Sequence, residues 1–130
     1  MSQFLVVLYN DTDGEINFRN TEFPADNRKV PPGGMFRTKN HFNVPDCSDK
    51  EYFDSHHMEI VDTSGTVIFS FWGDDSKDYD LYHCPALQYG EKEKLPGGAA
   101  TGGNKRDVAV VISGGPGNYQ LKGRKVQNDV

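Results

Sequence analysis

The residues best suited to binding chemistry lie in one short stretch of the chain. Trp72 is the only tryptophan, and Tyr79 and Tyr82 follow it closely. Their rings join a flat apolar body to a polar tip, which suits stacking on a sugar or insertion among lipid headgroups. Asp74 and Asp75 stand between them as acceptors for ligand hydroxyl groups. We expect these five residues to bind a ligand, with Trp72 filling one end of the core as the equal alternative.

Acidic residues in the same stretch suggest a calcium site. The four candidates are Asp74, Asp75, Asp78 and Asp80. Oxygen ligands from such a segment can hold Ca²⁺. A solvated acidic loop is the interpretation that the sequence favours, so no cofactor is expected.

A metal-dependent enzyme is a further hypothesis, based on His57, Glu59 and His83. His57 and Glu59 are two residues apart on an expected strand and therefore share one face. His83 would complete the site from a neighbouring strand. The alternative is that these residues are surface side chains near the start of a strand. The chain contains no nucleophile elbow and no phosphate-binding loop. The sequence therefore favours a protein that is not an enzyme, without catalytic residues.

Composition narrows the classes of partner. The net charge is −5 and the pI is near 5.2, which argues against a nucleic-acid partner, because a phosphate backbone requires clustered Lys and Arg. The first residues contain neither a basic segment nor a long apolar run, so we expect a cytoplasmic protein or release by a non-classical route. Whether Cys47 and Cys84 are bridged stays open, as does the oligomeric state.

Short β-branched and aromatic runs between Gly- and Pro-rich turns are typical of a β-sandwich. Alternation predicts inward-facing side chains at Ile16 and Phe18, at Met58 and Ile60, and at Val67, Phe69 and Phe71. Turn chemistry predicts hairpins at Asp13-Gly14, Ser64-Gly65 and Gly114 to Gly117.

These elements together predict an all-β, two-sheet antiparallel β-sandwich in a single domain over residues 1–126. The segment 40–55 is polar and is expected to be a long irregular loop. The glycine-rich segment 90–106 is expected to be a long flexible loop, because loops of that length are usually functional or disordered. The last residues, 127–130, are expected to fray.

Spaced segments of the chain resemble the aegerolysins, which are small acidic β-sandwich proteins. The resemblance lies in Met58 to Asp62, the turn after it, Val67 to Asp74, Val30 to Gly33 and Val110 to Gly114. It implies a membrane-lipid binder that acts with a pore-forming partner protein. The alternative partner is a glycan, bound by a cytoplasmic lectin with or without calcium.

Overall fold

The chain forms two β-sheets packed face to face, and a computed structural model describes residues 4–74, 81–96 and 107–124. In chain order, the strands of the described residues are β1 (Phe4–Thr12), β2 (Ile16–Asn20), β3 (Arg28–Val30), β4 (Met35–Asn43), β5 (Met58–Val61), β6 (Val67–Gly73), β7 (Leu81–Pro85), β8 (Glu93–Lys94), β9 (Asp107–Gly114) and β10 (Gln120–Arg124). A short helix, α1, spans Lys50–Phe53, and 3-10 turns span Pro24–Asp26 and Tyr89–Glu91.

The strand order is β10-β9-β1-β4 in the four-stranded sheet and β3-β2-β5-β6-β7-β8 in the six-stranded sheet. The expected two-sheet β-sandwich is confirmed. One pair departs from the antiparallel expectation, because β1 and β9 run parallel. Parallel neighbours need a long crossover, and almost the whole chain lies between these two strands.

The core lies between the inner faces of the two sheets. Strands that bury one face alternate inward and outward side chains, and this alternation is visible at Ile16 and Phe18 in β2. Met58, Ile60 and Phe71 are fully buried, as the sequence predicted. Val67 and Phe69 are only partly buried. The four-stranded sheet contributes a facing set, namely Leu5, Leu8, Val108, Val110, Ile112 and Leu121.

Two of the three predicted hairpins are confirmed, β5–β6 and β9–β10. The hairpin at Asp13-Gly14 is wrong, because β1 and β2 belong to different sheets. The chain crosses from one sheet to the other at that turn. Turn residues predict that the chain reverses direction, but they do not predict which strands pair afterwards. The pairing partners of β1 are β4 and β9 rather than β2.

Two segments expected to be irregular contain regular structure. Segment 40–55 includes the end of β4 and all of α1. The helix begins after Asp49, and the Asp49 side chain accepts a hydrogen bond from the Glu51 amide. Segment 90–106 includes β8, followed by the buried side chain of Leu95. Residues 97–106 and the predicted frayed tail lie outside the described residues.

A buried asparagine joins the two sheets where the chain crosses between them. The Asn10 side-chain amide on β1 donates to the carbonyl oxygens of Gly14 and Val30, each at 2.9 Å. Its Oδ1 atom accepts from the Thr12 hydroxyl at 2.6 Å. Because Val30 belongs to the other sheet, Asn10 sets how the two sheets meet at this edge.

Replacing Asn10 with Leu should destabilise the protein strongly. The substitution keeps the volume but leaves buried carbonyl oxygens without donors, at a cost of about 2–4 kcal/mol in the free energy of unfolding. Urea denaturation measures this change. Asn118→Leu, in an exposed turn, is the control and should change stability by less than about 0.5 kcal/mol. Equal effects of both substitutions would contradict the role of Asn10.

Candidate functional site

The outer face of the six-stranded sheet is covered rather than open. Trp72, whose neighbour Phe71 points into the core, points outward and is only 1% exposed. The Phe53 ring meets it edge-on at 5.2 Å between centroids, and the Tyr89 ring stacks on it at 5.3 Å. Phe53 ends α1, and Tyr89 begins a 3-10 turn, so these two elements form the cover.

The predicted ligand-binding role of Trp72 needs correction, because neither face of its ring is open to a ligand. Tyr82 and Asp74 are also buried. The Asp74 carboxylate lies near the Lys92 ammonium, whose pKa is raised first by a hydrogen bond to the Tyr89 hydroxyl and less by Asp74. The remaining predicted ligand and calcium residues lie outside the described residues: Asp75, Asp78, Tyr79 and Asp80.

The three residues of the metal-enzyme hypothesis are not together. Glu59 lies opposite Ser70, and Ser70 lies opposite Cys84, so these three share the outer face. His83 lies opposite Phe71, on the inner face. Neighbouring residues in a strand point to opposite sides, so His83 cannot join His57 and Glu59. Within residues 4–74, 81–96 and 107–124, no three His, Cys, Asp or Glu side chains are placed to hold a metal ion.

His57 and Glu59 instead form a buried ion pair. His57 is 2% exposed, and its Nε2 atom lies 2.9 Å from the Glu59 carboxylate. The other ring nitrogen, Nδ1, lies 2.6 Å from the Phe53 carbonyl oxygen. Both ring nitrogens thus have an oxygen partner, which fixes the orientation of the buried ring. The hydrogen bond from His57 lowers the pKa of Glu59, although burial opposes this, and Arg19 lowers it further.

The two cysteines are unbridged and buried in the same cover. Burial raises the pKa of Cys84 to about 11 and also raises the pKa of Cys47. The thiolate is the reactive form of cysteine. Both thiols are therefore poorly suited to nucleophilic chemistry.

An open cleft lies where β2, β4 and α1 end, and we call it the end cleft. Its volume is about 440 Å³, and its lining residues are Glu22, Phe23, Asn43, Val44, Asp46 and His56. Asn20, which is 1% exposed, organises these walls. Its side-chain oxygen accepts from the amides of Glu22 and Phe23, and its side-chain nitrogen donates to the Asn43 carbonyl oxygen.

A second set of hydrogen bonds joins the segment after α1 to the loop after β2. The Thr21 amide donates to the His57 carbonyl oxygen at 3.0 Å, and the His57 amide donates to the Thr21 hydroxyl at 3.0 Å. The loop after β2 is therefore held against the segment after α1. Because its walls are bonded to one another, the cleft exists before any ligand arrives.

The end cleft combines polar groups with exposed rings. The His56 Nε2 atom lies 3.1 Å from the Glu22 carboxylate. Phe23 in the cleft wall is 40% exposed, and Tyr52, whose ring meets that of His56 at a steep angle, is 54% exposed. Carboxylate and amide oxygens can accept hydrogen bonds from ligand hydroxyl or ammonium groups, while the rings supply apolar contact. Sequence reasoning missed this site because its residues come from three separate segments.

Comparison of the chain with family models, with curated proteins and with solved structures gives no match. No helix among the described residues is long and apolar enough to cross a membrane.

Acid should weaken the protein partly through Glu59. Its pKa in the folded protein lies below the ordinary value of 4.5, so its contribution to stability is complete above that value. The contribution is lost as the pH falls through the lowered pKa. Glu59→Gln should cost about 1–3 kcal/mol at neutral pH, because the buried His57 loses its charged partner.

Urea denaturation between about pH 6 and pH 3 checks this prediction. Wild type should lose more stability than the Gln variant as the pH falls. Parallel curves for the two proteins would show that Glu59 titrates as in the unfolded chain. Glu51→Gln, on the exposed surface of α1, serves as the control and should follow wild type.

Proposed function

We propose that the protein is a non-enzymatic binding protein for membrane-lipid headgroups, of the aegerolysin type, and that the end cleft receives the headgroup. The observation that carries this proposal is the exposed ring of Phe23 in the wall of a polar cleft, with the exposed ring of Tyr52 against the lining residue His56. Other binding proteins use the same combination of apolar contact with a few orienting polar groups.

The two exposed rings are suited to contact with a membrane surface. Tyr has an apolar body and a polar tip, so the headgroup zone satisfies both parts of the ring. Insertion of the exposed Phe23 ring among the lipids removes apolar surface from water, which favours binding. The Glu22 carboxylate and the Asn43 side chain would then meet polar groups of the lipid within the cleft.

The resemblance to aegerolysins supports the same proposal through the order of strands and turns along the chain. It adds a pore-forming protein as the partner recruited after membrane binding. The Trp72 ring is covered, so the ligand contacts proposed here lie in the end cleft rather than around Trp72.

Co-sedimentation with liposomes of sphingolipids and phospholipids tests this function. Binding to at least one composition is expected, and Phe23→Ser and Tyr52→Ser should each weaken it about tenfold, because each removes an apolar anchor. Leu87→Ser removes an equally exposed apolar side chain at another site and is the matched control. It should bind as wild type does.

Two results would contradict the proposal. Absence of binding to every composition would remove the lipid function. Binding that is unchanged in the two aromatic variants would place the lipid contacts outside the end cleft.

A lectin is the second candidate, and the acceptor groups of the end cleft favour it. Glu22, Asn43 and Asp46 line the cleft, and Phe23 stands beside them. Sugar hydroxyls donate to such oxygens while a sugar ring packs on an aromatic face. The site would thus hold a glycan with the same residues.

A glycan array, run with and without EDTA, distinguishes the lectin from the lipid binder. A lectin should bind a defined set of glycans and lose about tenfold in affinity in Glu22→Gln, because a charged acceptor becomes neutral. Glu93→Gln, on the exposed strand β8, is the control. Loss with EDTA would show that calcium takes part, whereas an empty array would exclude this candidate.

A further inference from the structure

A second cleft lies at the pair of strands β2 and β3, and we call it the basic cleft. Its volume is about 240 Å³. Its lining residues are Asn17, Phe18, Arg19, Asn27, Arg28 and Lys29. Two cationic side chains, Arg19 and Lys29, thus lie on the outer side of the sheet in a chain whose net charge is −5, whereas Arg28 lies opposite the inward-facing Phe18 and so belongs to the other side.

The strand register explains why these residues meet. Asn17 of β2 lies directly opposite Lys29 of β3. Arg19 is two residues beyond Asn17 and therefore shares its face of the sheet. An amide and two cations thus project from the same side, next to the edge strand β3.

Arg19 shares its acidic neighbour with a second side chain. The guanidinium lies 3.6 Å from one oxygen of Glu59, and the other oxygen of that carboxylate lies 2.9 Å from His57 Nε2. The carboxylate is therefore divided between two partners, and the Arg19 side chain stays 46% exposed to a ligand.

Arg28, which lies opposite Phe18 and on the other side of β3 from Lys29, is held away from the phosphate contacts. Its Nε atom donates to the Asp26 carbonyl oxygen at 3.2 Å, and its guanidinium lies 4.5 Å from the centre of the Phe42 ring. The carboxylate of Asp26 is the nearby opposing charge. Burial raises the pKa of Asp26, and Arg28 partly offsets this.

We propose that the basic cleft binds a phosphate group, carried either by a soluble phosphate ester or by a lipid headgroup. Arg19 and Lys29 contact the phosphate oxygens, and Asn17 donates from its side-chain amide. Guanidinium groups match the oxygens of phosphate in pairs, and a doubly charged anion gains more from clustered cations than a singly charged one. The site does not depend on the end cleft or on the lipid function proposed for it.

NMR titration of ¹⁵N-labelled protein with inorganic phosphate tests the soluble source. Phosphate should shift the Arg19 Nε–H signal and the Asn17 side-chain signals, whereas acetate at the same ionic strength should not. The double variant Arg19→Gln/Lys29→Gln should bind phosphate at least about tenfold more weakly, since it loses two charged donors. Lys50→Gln/Lys122→Gln changes the net charge equally at exposed positions elsewhere and should keep wild-type affinity.

Phosphatidylcholine vesicles with and without phosphatidic acid test the lipid source. Binding that requires phosphatidic acid and is lost in the Arg19/Lys29 variant assigns the site to a lipid, and a response to inorganic phosphate alone assigns it to soluble esters. No response to either probe overturns the proposal. Equal losses in the two double variants overturn it as well, because they indicate net charge rather than a site. Urea denaturation of each variant verifies folding, and the single variants replace the double variant if it unfolds.

Discussion

The rings of Trp72, Phe53 and Tyr89 form a cluster in which each contacts the other two, and this cluster holds α1 and the second 3-10 turn on the outer face of the six-stranded sheet. Backbone hydrogen bonds of Gly73 with Pro45 and Cys47 fasten the same cover to the end of β6. A sheet with large apolar side chains on both faces must be covered on both, because exposed apolar surface is costly. The second face is closed here by two short elements from separate parts of the chain, α1 and the second 3-10 turn.

This cover determines the position of the end cleft and the surroundings of the Arg19 side chain. It buries His57, which then requires Glu59 as a partner and leaves Arg19 on the surface with a positive charge. It also brings the end of α1 beside the end of β2, which creates the end cleft. Asn20 stands between the two clefts, because its backbone amide donates to Asn27 while its side chain arranges Glu22 and Phe23.

Local sequence signals were reliable where the structure depends on neighbouring residues. Alternation identified the inward side chains of β2 and β5, and the turns at Ser64-Gly65 and Gly114 to Gly117 join paired strands. Asp13-Gly14 carries the same turn chemistry, yet the chain there passes between sheets. The difference comes from Asn10, whose amide reaches Val30, twenty residues away in sequence. Such a contact leaves no periodic signal.

The sequence by itself determined the β-sandwich and the inward side of β2, β5 and β6, because alternation and turn residues act over a few positions. It did not determine what covers the other side of β6. Trp72 was recognisable as an aromatic residue beside acidic neighbours, which equally describes a ligand platform and a ring that fills one end of the core. Only the tertiary structure decided between them, because the cover comes from distant segments that carry Phe53 and Tyr89. The same distant contacts left Phe23 and Tyr52 exposed and placed them beside a cleft.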